Sequence, residues 1–339
     1  MNDKDGINKE EEIDFITSSS LQKVVKKSKR KQTIKYIFIT LLTTMILLAA
    51  LLYGGKYILN KRTNILNSRL EANLDTVYST IHGANLSISG GVNNYELFSV
   101  TTDTRIYKTI GDRTILWDKK MERIPLFGRV KTLDQGSGSV EVSTLNEEAH
   151  RYVRYNEFNN ERKIDFYYPG LSYEYLPHEL DIATELDKNK LIEVALSFNK
   201  PMTIEELNKQ LGYKNVNWIW VDTSYKKQMD YMENVLDSDD VKTKGGGGAF
   251  GITLSGGVPL SAKYGVNYFL STLNELSKKG SHKTSVKEAL LGIKENTKET
   301  NGEIRFNGAV VTGTAEELKR FKSLKFIRAS VLGATIDKY

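Results

Sequence analysis

The 339-residue chain contains no cysteine. That single absence excludes disulfides, thiolate metal sites and cysteine nucleophiles together. Histidine is nearly as scarce: His82, His150, His178 and His282 are the whole set, scattered without metal-ligand spacing. His178-Glu179-Leu180 has no second histidine to complete H-E-x-x-H. Proline appears five times, at positions 125, 169, 177, 201 and 259, each in an expected loop or at an element end. Charge is missing from one stretch altogether. From Tyr36 to Gly55 no residue is ionisable as acid or base except the terminal tyrosines.

Twenty residues at 1.5 Å rise span about 30 Å, the hydrocarbon thickness of a bilayer. The run is longer than a signal-peptide core, and it keeps no polar stripe of the kind a buried soluble helix carries. It therefore reads as a retained membrane span. The preceding cluster Lys23, Lys26, Lys27, Lys29, Arg30, Lys31 and Lys35 is denser than the following Lys56, Lys61, Arg62 and Arg69. The denser side marks the cytoplasmic flank. The expected organisation is a cytoplasmic tail (1–35), a transmembrane helix (36–59), a stalk helix with a β-rich N-terminal domain (60–145) and a C-terminal domain (146–339). The localisation is then cell membrane, single-pass, with the N terminus inside and the large body outside.

The tail begins acidic and turns basic, and supplies about half of the chain's net charge of +6. Its basic cluster suits anionic lipid, at about 1 kcal/mol per residue. Direct nucleic-acid binding would need interleaved aromatics or a known fold, and neither is present. Ile13, Phe15, Ile16, Leu21, Val24 and Val25 form an apolar set at near-helical spacing, the candidate partner-binding face of a short amphipathic helix. Beyond the span, Leu66, Leu70, Leu74, Val77 and Ile81 recur every three or four residues, as a helical stalk would.

The remainder is expected to be α+β. Glycine-punctuated runs such as Arg105–Ile110 and Thr114–Trp117 read as strands of a small β-rich unit, with Leu133–Ser139 as a hinge or loop. The C-terminal half uses strand–helix–strand twice. Leu191–Phe198, a turn at Asn199–Met202, a helix over Thr203–Leu211 and a strand over Val216–Thr223 make the first unit. Glu303–Gly313, Thr314–Leu324 and Phe326–Ile336 make the second. Each helix opens on Thr-x-x-Glu, a capping box. Two βαβ-like units with parallel strands and helices on one sheet face are the expected result. Between them lie a glycine-rich loop (Gly245–Gly251) and helices near Val266–Lys278 and Thr284–Lys298. In Val216–Thr223 the tryptophans Trp218 and Trp220 alternate with Ile219 and Val221, as in a strand buried on both faces.

No catalytic residue, cofactor motif or metal site emerges. Gly246-x-Gly248-x-x-Gly251 matches a dinucleotide fingerprint only formally, because a charged segment rather than a strand precedes it. A flexible loop is the simpler reading. Asp237, Asp239 and Asp240 lack the glycine and distal glutamate of a calcium loop and read as a solvated acidic turn.

Assembled, these residues resemble the sigma-factor regulator family, membrane-anchored anti-sigma-type regulators of extracytoplasmic-function sigma factors in Gram-positive bacteria. The likeness is carried by Lys26–Gln32, by Tyr53–Leu59, and by the runs at Asn85–Gly90 and Thr104–Trp117. In the C-terminal half it is carried by Leu191–Tyr225 and Gly308–Asp337. It implies a regulator whose partner is an extracytoplasmic-function sigma factor, and the absence of catalytic and cofactor motifs points to a non-enzymatic protein without a cofactor. Many anti-sigma factors hold sigma with a larger domain bearing H-x-x-x-C-x-x-C. The tail here has neither histidine nor cysteine, which points to a single short helix or to a second membrane regulator as the means of holding sigma. The competing expectation is a membrane-anchored ligand-binding or structural envelope protein with no sigma partner.

Overall fold

The computed structural model describes residues 19–71, 80–136, 142–146, 151–254, 265–278, 282–298 and 302–339. Helix α1 runs over Ser19–Glu71. Its residues up to Asn60 form one compact unit, and Lys61 onward belongs to a second. In α1 the hydroxyls of Thr40, Thr43 and Thr44 donate to the carbonyls of Tyr36, Ile39 and Thr40. The three polar groups in the apolar run are thus satisfied inside the helix. Large apolar side chains such as Phe38, Leu47 and Leu51 are exposed along it. It is long and apolar enough to cross a membrane, and none of its apolar window is buried in the protein.

In the second unit, strands β1 (Leu86–Tyr95), β2 (Ser99–Ile110), β3 (Arg113–Pro125) and β4 (Lys131–Gln135) form an antiparallel sheet in sequence order. This is the small β-rich unit expected from the glycine-punctuated runs. One boundary differs. Leu133, Asp134 and Gln135, expected in a loop, belong to β4, because β3 offers them a ladder at Lys120 and Met121. Strands β5 (Val142–Asn146) and β6 (Arg151–Tyr155) pair as a hairpin. The two-residue β7 (Asp165–Phe166) follows.

The C-terminal half contains β8 (Lys190–Met202), α2 (Ile204–Gln210), β9 (Val216–Val221) and α3 (Lys226–Val235). Next come β10 (Lys244–Gly245), β11 (Gly251–Thr253), α4 (Asn267–Leu276) and α5 (Lys283–Lys298). The chain closes with β12 (Phe306–Gly313), α6 (Ala315–Leu318) and β13 (Ile327–Asp337). The five-stranded sheet has the order β11-β9-β12-β8-β13, and every bonded pair in it is antiparallel. β8 and β9 both run against β12, so they are parallel to each other but not neighbours. β12 and β13 stand in the same relation across β8. The two strand–helix–strand units therefore exist, but each is split by a strand of the other, the interleaving of the ferredoxin-like topology. The insertion between β9 and β12 carries α3, α4 and α5.

Both expected capping boxes form. Thr203 and Glu206, and Thr314 and Glu317, exchange side chain and backbone hydrogen bonds. The second helix is shorter than expected: after Leu318 it tightens into a 3₁₀ turn over Lys319–Phe321. The expected turn at Asn199–Met202 is instead the end of β8, where Met202 pairs with Phe306 after a register shift.

The sheet is buried on both faces. Ile192, Val194, Leu196 and Phe198 of β8 pack on one side with apolar residues of α2, α4, α5 and α6. Burial of each such side chain is worth about 1.5–3 kcal/mol. On the other side Trp218 and Trp220 meet Phe166, Tyr168 and Met232 of α3. The ring centroids of Phe166 and Trp220 are 4.9 Å apart. Helices were expected on one face only; α3 covers part of the second. At Gly251 a Cβ would overlap the Trp218 ring, so this glycine is set by close approach.

Candidate functional site

Strand alternation places Ile106, Lys108 and Ile110 of β2 on one face. Ile110 packs in a small apolar cluster with Trp117, Leu191, Ala334 and Ile336. Lys108 is held inside that contact, 4% exposed. Its ammonium is 2.8 Å from Oε2 of Glu193, which is fully buried on β8. It also lies 4.2 Å from the Trp117 ring centroid. The backbone N–H of Ala334 donates to the same Glu193 oxygen at 3.3 Å. Two further bonds fix the β2–β3 turn to the large sheet. Gly111 N–H donates to the Thr312 hydroxyl at 2.9 Å, and Arg113 Nη1 donates to the Asp337 carbonyl at 2.6 Å.

Beside this ion pair lies a cavity of about 380 Å³. Its walls include His82 and Gly83, Lys108, Trp117, Arg154 and the glycines Gly245–Gly248. Gly83 has φ +115°, and a Cβ there would meet the Gly246 carbonyl oxygen, so the chain turns into β1 through a gap only glycine fits. The glycine-rich segment is not a loose loop. Gly246, Ala249 and Phe250 are buried, and Gly246 N–H donates to the Ile164 carbonyl at 2.8 Å. No helix begins at Gly251, where β11 starts instead, so the formal dinucleotide pattern has no phosphate-binding geometry.

Two of the four histidines come together. The rings of His82 and His282 meet edge to face with centroids 4.7 Å apart. Burial first, and the neighbouring His282 second, pull the His82 pKa down to about 4. Burial also lowers Lys244, with Glu288 opposing it. His178 bridges to Ser330, and His150 lies outside the described residues. Glu179 is a structural acceptor: it takes Nε and Nη2 of Arg151 at 2.7 and 3.0 Å and the N–H of Leu332 at 2.7 Å. Asp237 and Asp240 are exposed, as in a solvated acidic turn; Asp239 is half-buried, and its two oxygens accept the N–H groups of Glu174 and Tyr175 at 3.1 and 2.9 Å. Asp222 accepts Ser224 Oγ and Asn307 Nδ2, while burial raises its pKa. Among the described residues, no three His, Cys, Asp or Glu side chains converge to hold a metal. The contacts around Glu193, Glu179 and Asp222 are load-bearing: each carboxylate joins separate segments of the fold.

Of the apolar tail face, Ile13, Phe15 and Ile16 lie outside the described residues. Leu21, Val24 and Val25 are on α1, exposed, at the i, i+3, i+4 positions of one stripe. Lys108 and Glu193 were missed from sequence, although Glu193 is a lone charge within the apolar run Leu191–Phe198; Lys108 shares a polar strand with Asp103 and Arg105. The lone buried-strand carboxylate is the signal by which such a pair can be found.

Two family models match the chain. One, described as sigma factor regulator N-terminal, covers residues 22–115, and one described as sigma factor regulator C-terminal covers residues 184–334. Neither the curated proteins nor the solved structures contain a match.

Proposed function

The chain belongs to the sigma factor regulator family, and on that premise we propose that it is a single-pass membrane regulator, an anti-sigma factor or co-regulator. It would link a condition outside the cytoplasmic membrane to an extracytoplasmic-function sigma factor. The observation that carries this reading is the reach of the N-terminal match. Residues 22–115 run unbroken from the basic cluster through the apolar helix into the four-stranded sheet. The family module thus includes sequence on both sides of the candidate span.

The density of Lys and Arg between Lys23 and Lys35 supports a cytoplasmic tail. In this reading the folded body senses, the span transmits, and the stripe continuing through Leu21, Val24 and Val25 toward Phe15 holds sigma, alone or beside a second membrane regulator. Transmission requires a bistable element, such as a tilt of α1 or a cut beyond it. Co-purification of the full chain with its sigma factor tests the tail face. Phe15→Ala combined with Leu21→Ala is expected to weaken capture at least about tenfold, equivalent to about 1.4 kcal/mol. Unchanged capture would remove the tail face from the proposal.

A further inference from the structure

The β1–β2 and β3–β4 turns lie side by side at one end of the small sheet. Leu126 N–H donates to the Phe98 carbonyl at 2.7 Å, and Ser99 pairs with Pro125 across β2 and β3. Both turns present large apolar side chains outward. Leu97 is 63% exposed and Phe127 79%, with Phe98 and Val130 beside them in the same turns. A folded body has no internal reason to leave two such tips uncovered.

Their position supplies the reason. Arg62 of α1 donates to the carbonyls of Pro125, Leu126 and Gly128 at 2.7, 2.9 and 2.7 Å. Those three bonds tie the tips to a helical residue seven positions beyond Gly55, the end of the apolar run. At helical rise that separation is about 10 Å, just past a headgroup layer about 5–7.5 Å deep and within side-chain reach of it. The same end of the body is rich in cations: Lys61, Arg62, Arg123, Arg129 and Lys131. Glu96, in the β1–β2 turn, is engaged by Arg123 at 2.5 Å.

Apolar tips ringed by basic residues, tethered beside the headgroup layer, match a lipid surface. We propose that the β1–β2 and β3–β4 turns dock into the membrane leaflet next to the body, with Leu97, Phe98, Phe127 and Val130 entering the interface and the surrounding cations meeting anionic headgroups. The body is then a lipid-contacting domain whose seating depends on the surface it touches. This rests on α1 spanning the membrane.

Because the natural chain has no cysteine, a single introduced one labels uniquely. The full chain is reconstituted in vesicles of phosphatidylcholine and phosphatidylglycerol containing a lipid with a shallow spin label. An environment-sensitive fluorophore is placed through Leu97→Cys, Phe127→Cys, Tyr57→Cys or Tyr231→Cys. Tyr57 marks the end of the span, and Tyr231 is an exposed position on α3. The proposal expects labels at 97 and 127 to be quenched as strongly as at 57, with position 231 unquenched. Quenching at 57 alone overturns the docking and leaves the span intact. No quenching at 57 overturns the span reading and the docking with it. Cross-linking of Phe127→Cys between copies, with no quenching at 127, assigns the tips to a second copy of this chain instead.

Discussion

Glu193 stands at the middle of β8 with no solvent access, and Lys108 reaches it from a different sheet. A pair of this kind contributes little net stability, but losing one member leaves the other as an uncompensated buried charge. Lys108→Met is therefore expected to destabilise the body by about 3–5 kcal/mol, read as a lowered urea midpoint of the full chain in detergent. Lys108→Met with Glu193→Met should recover most of the loss. His82 gives the pH dependence. Its pKa is about 4 in the fold and about 6.5 when unfolded, so between these values the unfolded chain holds more protons. The His82 contribution is fully present above pH 6.5 and is lost as pH falls toward 4. Acidification from pH 8 to pH 5 should cost about 2 kcal/mol of stability through this group. In His82→Gln the urea midpoint should change less over that range; an identical pH slope would sink the assignment. The meeting of His82 with His282 was not legible in sequence. The two are far apart along the chain, and only the fold closes that distance.

At the scale of elements, local chemistry was highly legible. The capping boxes of α2 and α6, the alternating tryptophans of β9 and the periodicity of α4 and α5 each specify an element through contacts within a few residues. Thr203→Ala and Thr314→Ala are each expected to lower stability by about 1 kcal/mol, measured by equilibrium unfolding, because each strips a backbone N–H of its acceptor. The elements that sequence misassigned are those set by a partner. β4 absorbs a stretch that looks like a hinge, because β3 supplies its hydrogen bonds. β8 runs on through Pro201 to meet Phe306. Helix α3 went unread because its Met229 and Met232 form too short a stripe to stand out, and it is held by the tryptophan face of the sheet.

For the whole molecule, the apolar helix, the basic flank and the family are written into linear sequence, since each depends on composition along a continuous segment. Hydropathy over twenty residues needs no tertiary partner to be recognised. The strands of the four-stranded sheet and the two repeated strand–helix–strand patterns are likewise readable as elements, while Lys61–Tyr339 form one compact unit. What the tertiary structure decided is how those parts interlock. Parallel strands within each repeat are separated by a strand of the other repeat, an arrangement no local pattern encodes, because strand order is chosen by which faces bury together. The structure also brought Lys108 to Glu193, drew the glycine-rich segment into a cavity wall, and gathered Leu97 and Phe127 on adjacent turns tied to Arg62. Each of these joins residues far apart in the chain, and their proximity follows from packing rather than from any property of the segments themselves.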